Sequence, residues 1–202
     1  MSLSDGVTLD FDALSMVQRI LLATDGTVTH VLEVYAGEIM SLVKVSHAAV
    51  TDPDERAGYG LKEGERGLRR VIVLKGSRTD VPYVYADSVV MLDRLHPLVA
   101  EGLLTTDTPI GKLLWRCRAE TFREIVAAWE DRDERAAACF GLGPAEPLLA
   151  RTYDIVQNGR AIARITEKFP KAAFPSPGAR AVAETDEVDL RPSVSGPAPA
   201  TR

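Results

Sequence analysis

The chain has 202 residues, 46% of them hydrophobic and 26% charged, with a formal net charge of -5. That composition suits one globular domain with a real core, and the acidic balance provides no basic footprint for nucleic acid. The opening Met1-Ser2-Leu3-Ser4-Asp5-Gly6 lacks the runs of a signal peptide and no apolar stretch is long enough to span a membrane, so a cytoplasmic protein is expected.

In chain order, Asp12 to Leu22 reads as a short helix, with Leu14, Val17, Ile20 and Leu21 on one face and Asp10 or Asp12 as its cap. After Asp25-Gly26, the stretch Thr27 to Tyr35 reads as extended, and with a second strand over Ile39 to Val50 it forms an expected hairpin. Thr51 to Arg66 is charged and contains glycine. It reads as a loop, of the kind that closes over ligands. Strands follow at Leu68 to Leu74 and Tyr83 to Met91, then a short helix after Pro97. Thr105 to Gly111 is a helix start with Pro109 at the first turn, and helical pattern continues with breaks to about Cys139. Arg151 to Val156 and Ala161 to Phe169 flank Asn158-Gly159, the strongest short hairpin signal. From Pro170 onward Pro, Ala, Ser, Asp and Glu dominate. A single domain over residues 1–170 and a disordered tail over 171–202 are expected. Neighbouring hairpins with helices gathered between them imply an α+β fold, an antiparallel sheet with helices packed around it.

Three residues carry the chemistry. Glu167 shares a strand face with Ala161, Ala163, Ile165 and Phe169, which is the core face. A carboxylate there is paired, hydrogen-bonded, or set to meet a ligand. Arg69 and Arg70 point to opposite faces of a strand that is apolar on both, so one of them is at least partly buried and needs a carboxylate from the protein or from a ligand. Parity does not choose between them, and an ion pair of either with Glu167 is the simplest structural reading. The turn at Thr108-Pro109-Ile110-Gly111 offers free backbone N–H groups that favour an anion when an arginine lies beside it. Asp87 faces with Tyr83, Tyr85 and Val89, which suits a hydrogen bond to a neighbouring tyrosine or a second pocket carboxylate. His30, His47 and His96 show no metal-ligand spacing, and Cys117 and Cys139 stand apart as reduced thiols.

Taken in order, Asp25-Gly26-Thr27-Val28-Thr29, Leu68-Arg69-Arg70-Val71, Pro82 to Val90, Thr108-Pro109-Ile110-Gly111, Glu120-Thr121-Phe122-Arg123-Glu124 and Ile165-Thr166-Glu167-Lys168-Phe169-Pro170 resemble the chorismate pyruvate-lyase, or 4-hydroxybenzoate synthase, family. The match runs from about Leu14 to Pro170. It implies an enclosed small-molecule site that cleaves chorismate to 4-hydroxybenzoate and pyruvate with no metal or cofactor; the sequence leaves the oligomeric state open, and a monomer or a homodimer would fit. It further implies Arg69 as the ligand arginine, Glu167 at the ring hydroxyl as an acid or base, and the backbone N–H groups of Thr27 and Ile110 at a substrate carboxylate. Two alternatives stand beside it. One is a lyase for a related enolpyruvyl ring acid. The other is a ligand-sensing domain of similar fold, although only a short helix precedes the first expected strand and no helix-turn-helix is apparent.

Overall fold

A computed structural model describes residues 9–176. Six strands, β1 (Met40–Ala49), β2 (Gly67–Gly76), β3 (Pro82–Met91), β4 (Phe122–Asp131), β5 (Leu148–Gln157) and β6 (Arg160–Pro170), form one sheet in the order β1-β2-β3-β6-β5-β4. Every neighbouring pair is antiparallel. The α+β expectation holds. At the β5–β6 turn Asn158 and Gly159 both take positive φ, 50° and 70°, the geometry for which Asn-Gly is favoured.

One sheet face is covered by α1 (Met16–Ala23), α2 (Val28–Ala36), α4 (Pro97–Thr105) and α5 (Ile110–Arg116). Their apolar residues, among them Leu21, Leu32, Leu103 and Leu113, join Leu74, Val84, Leu149, Ile165 and Phe169 of the sheet in the main core. On the other face, a short helix α3 (Pro53–Gly58) leads to Leu61, which packs with Val89 and Met91. Also on that face, α6 (Glu134–Cys139) places Ala136 against Val73, Tyr85 and Leu148. Among the described residues no helix is long and apolar enough to cross a membrane.

Four expectations change. The stretch Thr27 to Tyr35 is a helix, because Val28 and Leu32, one turn apart, are both buried on one stripe. The segment after Phe122, read as helical, is strand β4, whose outer edge has no sheet neighbour. The charged segment Thr51 to Arg66 is no flap over the main-core face, since its apolar residues pack on the opposite side. The ordered domain also continues past Pro170. Lys171–Ala173 makes a 3-10 turn, and Phe174 is fully buried. Ser15 Oγ donates to the Phe174 carbonyl at 2.8 Å, and Tyr35 Oη donates to that of Ala173 at 2.9 Å. The rest of the expected tail, residues 177–202, lies outside the described residues.

Candidate active site

Register decides which side chains meet. Directly opposed residues of an antiparallel sheet point to the same face. One row across the sheet is therefore Arg70, Ser88, Ile165 and Tyr153, on β2, β3, β6 and β5. The next row is Ile72, Ala86, Glu167 and Arg151. Both rows face the helices of the main core.

Glu167 is buried, and two groups hold it. Arg151 Nε donates to Oε2 at 2.9 Å, and the Tyr153 hydroxyl donates to Oε1 at 3.0 Å. Arg151 is 0% exposed. Its Nη1 donates to the Thr24 carbonyl at 2.7 Å, and its guanidinium carbon lies 4.8 Å from the Tyr153 ring centroid. The Tyr153 phenol is pushed well above its ordinary range, first by burial and then by the Glu167 charge, so it is a hydrogen-bond donor at neutral pH.

Arg70 lies on the same face and is 4% exposed. Its Nε and Nη2 are buried and have no hydrogen-bond partner. Those two N–H bonds form the side-on fork of a guanidinium, the geometry that takes both oxygens of a carboxylate. Burial lowers its pKa, partly offset by the charge of Asp107, yet an arginine stays protonated in a protein. Desolvation and the charges of Arg70 and Lys44 also push His47, opposite Arg70 on β1, below the ordinary histidine value.

Arg69, the expected ligand arginine, is on the opposite face and about half exposed. Its Nη2 donates to Asp87 at 2.6 Å and its Nη1 to Glu55 at 2.9 Å. Strand alternation separates it from Glu167, so the structure brings Arg70, not Arg69, to the Glu167 face. Asp87 serves Arg69 and is neither a pocket carboxylate nor a tyrosine partner in these contacts.

A cavity, part of it open to solvent, lies between these rows and the starts of α2 and α5. Arg70, Ser88, Ile165, Tyr153 and Glu167 line its sheet side. Thr27 and Ile110, both expected at the site, line the helical side. Thr27 precedes α2 and Pro109 precedes α5, and neither start has a side-chain cap. The two approach closely, for a Cβ at Gly111 would meet Thr27 Cγ2 at 3.0 Å. Arg123 of β4 closes the corner, with Nη1 donating to the Asp25 carbonyl at 3.0 Å and Nη2 to Thr27 Oγ1 at 3.4 Å.

Arg70, Arg151, Tyr153 and Arg123 are the residues that sequence reasoning passed over or left undecided. An arginine among Leu148, Leu149 and Ala150 at the head of a strand was a usable signal for Arg151, since a cation in an apolar strand needs a buried partner.

The chain is 29% identical over 161 residues to the chorismate pyruvate-lyase of Mycobacterium tuberculosis, covering 77% of this chain and 80% of the relative. It is 32% identical over 159 residues to the chorismate pyruvate-lyase of Mycobacterium leprae, covering 77% and 75%. The effector domain of PhnF from Mycobacterium smegmatis shares the fold, with a TM-score of 0.57 at 16% identity over 77% of this chain and 95% of that one. With the model of one family matching residues 22–174, the chain belongs to the Rv2949c-like chorismate pyruvate-lyase family.

Proposed function

We propose that the protein is a chorismate pyruvate-lyase, releasing pyruvate from chorismate and leaving 4-hydroxybenzoate. The observation that supports this most directly is the buried, unpartnered fork of Arg70 on the same cavity as the clamped Glu167. Their strands are two apart and their rows are one step apart along the strands, so their backbones stand about 12 Å from each other. A six-membered ring with a carboxylate at one end and a hydroxyl at the other fits between them.

In this reading Arg70 pairs with the ring carboxylate, and the uncapped helix starts at Thr27 and Ile110 present N–H groups to the bound anion. Glu167 accepts the hydrogen bond of the C4 hydroxyl. The C3–O bond breaks and its electron pair leaves with the enolpyruvyl group, which takes a proton to become pyruvate. The C4–H electron pair becomes ring π-density, and the proton passes to a base, the role given to Glu167. The gain of aromaticity drives the step. The protein's share is to orient the ring and hold charge, with Arg151 and Tyr153 fixing the base.

The test is to incubate purified protein with chorismate and follow 4-hydroxybenzoate and pyruvate together by chromatography. Equal amounts, formed faster than in the protein-free control, are expected. Glu167→Gln keeps an oxygen for Arg151 and should lower kcat about 100-fold or more, the scale of general acid–base loss. Intact chorismate with the wild-type protein would sink the reading in favour of another ring acid or of binding alone.

A further inference from the structure

We infer that Arg123 is the receptor for a second carboxylate, and that the cavity is built for a dicarboxylate ring ligand. This rests on the lyase reading for the identity of that ligand, but its basis is a count of charge. The ionised side chains lining the cavity are Arg70, Arg123 and Glu167. Glu167 is neutralised from behind by Arg151. Arg70 has no carboxylate partner within hydrogen-bond reach, and neither does Arg123, whose partners are a carbonyl and a hydroxyl. Asp107, which acts on Arg70 at longer range, is paired with Lys44 at 2.8 Å. The site therefore presents two uncompensated guanidinium groups, and a ligand with two carboxylates balances them.

Position assigns each arginine. Arg123 reaches inward from β4, four strands from β2, with its guanidinium carbon 6.0 Å from the centroid of the Tyr153 ring. Tyr153 is the phenol that donates to Glu167. Arg123 thus stands at the Glu167 end of the cavity, and Arg70 approaches from the other flank. In chorismate the enolpyruvyl ether is on C3, beside the C4 hydroxyl, so its carboxylate emerges at the hydroxyl end of the ring. Arg70 meets the ring carboxylate and Arg123 meets the enolpyruvyl carboxylate. Arg123 also carries the start of α2, because it holds both Asp25 and Thr27, so an occupied second subsite would couple to that wall.

The experiment compares two stable ring ligands by calorimetric titration, 4-hydroxybenzoate with one carboxylate and 3-(1-carboxyethenyloxy)-4-hydroxybenzoate with two. Wild-type protein is expected to prefer the second. Arg123→Gln should weaken the dicarboxylate about 10- to 100-fold, the scale of a hydrogen bond to a charged group, and leave 4-hydroxybenzoate within about twofold. Arg123→Lys keeps the charge and should recover part of the loss. Equal weakening of both ligands would mean that Arg123 only shapes the wall, and no weakening of either would mean that it touches neither. Either result overturns the proposal, as does a wild-type protein with no preference. A wild-type protein that keeps the preference but leaves chorismate intact supports the second subsite and defeats only the lyase reading.

Discussion

Arg69 and Arg70 are neighbours in sequence, yet one faces a pair of acids at the surface and the other faces the cavity. An exposed ion pair contributes about 0–1 kcal/mol, and Arg69→Gln should leave kcat/KM for chorismate within about twofold. A buried guanidinium whose fork binds a carboxylate carries far more. Arg70→Gln should lower kcat/KM about 100-fold or more, corresponding to a loss of about 3 kcal/mol of transition-state binding. Steady-state kinetics on the two variants decides, and the opposite ranking would return the ligand role to Arg69. The burial of Glu167 was legible from strand alternation, but its partner was not. Counted from the Asn158-Gly159 turn, where Gln157 opposes Arg160, an unbroken hairpin sets Arg151 against Thr166. The irregularity between Ile155 and Val156 shifts the register by one residue and brings Arg151 opposite Glu167. A one-residue slip exchanges the two faces, and nothing in the local residues announces it.

At the scale of elements, the strands buried on both sides were the readable ones. β2, β3 and β6 are rich in β-branched residues and bounded by turn signals. The helix α2 was misread because Val28, Thr29, Val31 and Val34 carry strand propensity, which the burial of one helical stripe overrides. The edge strand β4 was misread for the converse reason: Ala127 and Ala128 favour helix, and a lightly buried edge need not alternate cleanly. Between elements, one polar knot ties the approach to β2, the turn after β3 and the start of β6. Arg94 donates to the Gly60 and Ala161 carbonyls and to Glu65, and Arg160 reaches the same carboxylate at 3.4 Å. The hydrogen bond from Arg94, followed by that from the Lys62 N–H, holds the Glu65 carboxyl at about 2. The folded value lies below the unfolded one, near 4.5, so the stabilisation is full above pH 4.5 and fades as pH falls towards 2. Melting temperature should therefore drop less steeply for Glu65→Gln than for wild type between those pH values. Parallel curves would show that the knot makes no pH-linked contribution.

At the scale of the whole molecule, the two sheet faces divide the labour. One carries a ladder of paired charges between two small helical covers, including Arg164–Asp154 at 2.7 Å and Lys168–Asp131 at 2.6 Å. The other carries the main core and, set into it, the cavity. Closing that core depends on the last of the described residues, where composition suggested that the fold had already finished. Phe174 packs against Tyr35, Tyr83 and Phe169, with ring centroids 5.2, 6.1 and 6.5 Å away. Gln18 Nε2 donates to the Lys171 carbonyl at 2.8 Å, so α1, α2, β3 and β6 all meet this short segment. Emptying a fully buried phenylalanine site costs about 3–5 kcal/mol, a large part of the stability of a domain this size. Phe174→Ala should lower the denaturant midpoint accordingly, and a chain ended after Pro170 should lose at least as much because the three backbone anchors go with the ring. A chain ended after Ser176 keeps all of them and is the control. If the chains ended at Pro170 and at Ser176 unfold at the same midpoint, the core closes without Phe174 and the domain boundary returns to Pro170.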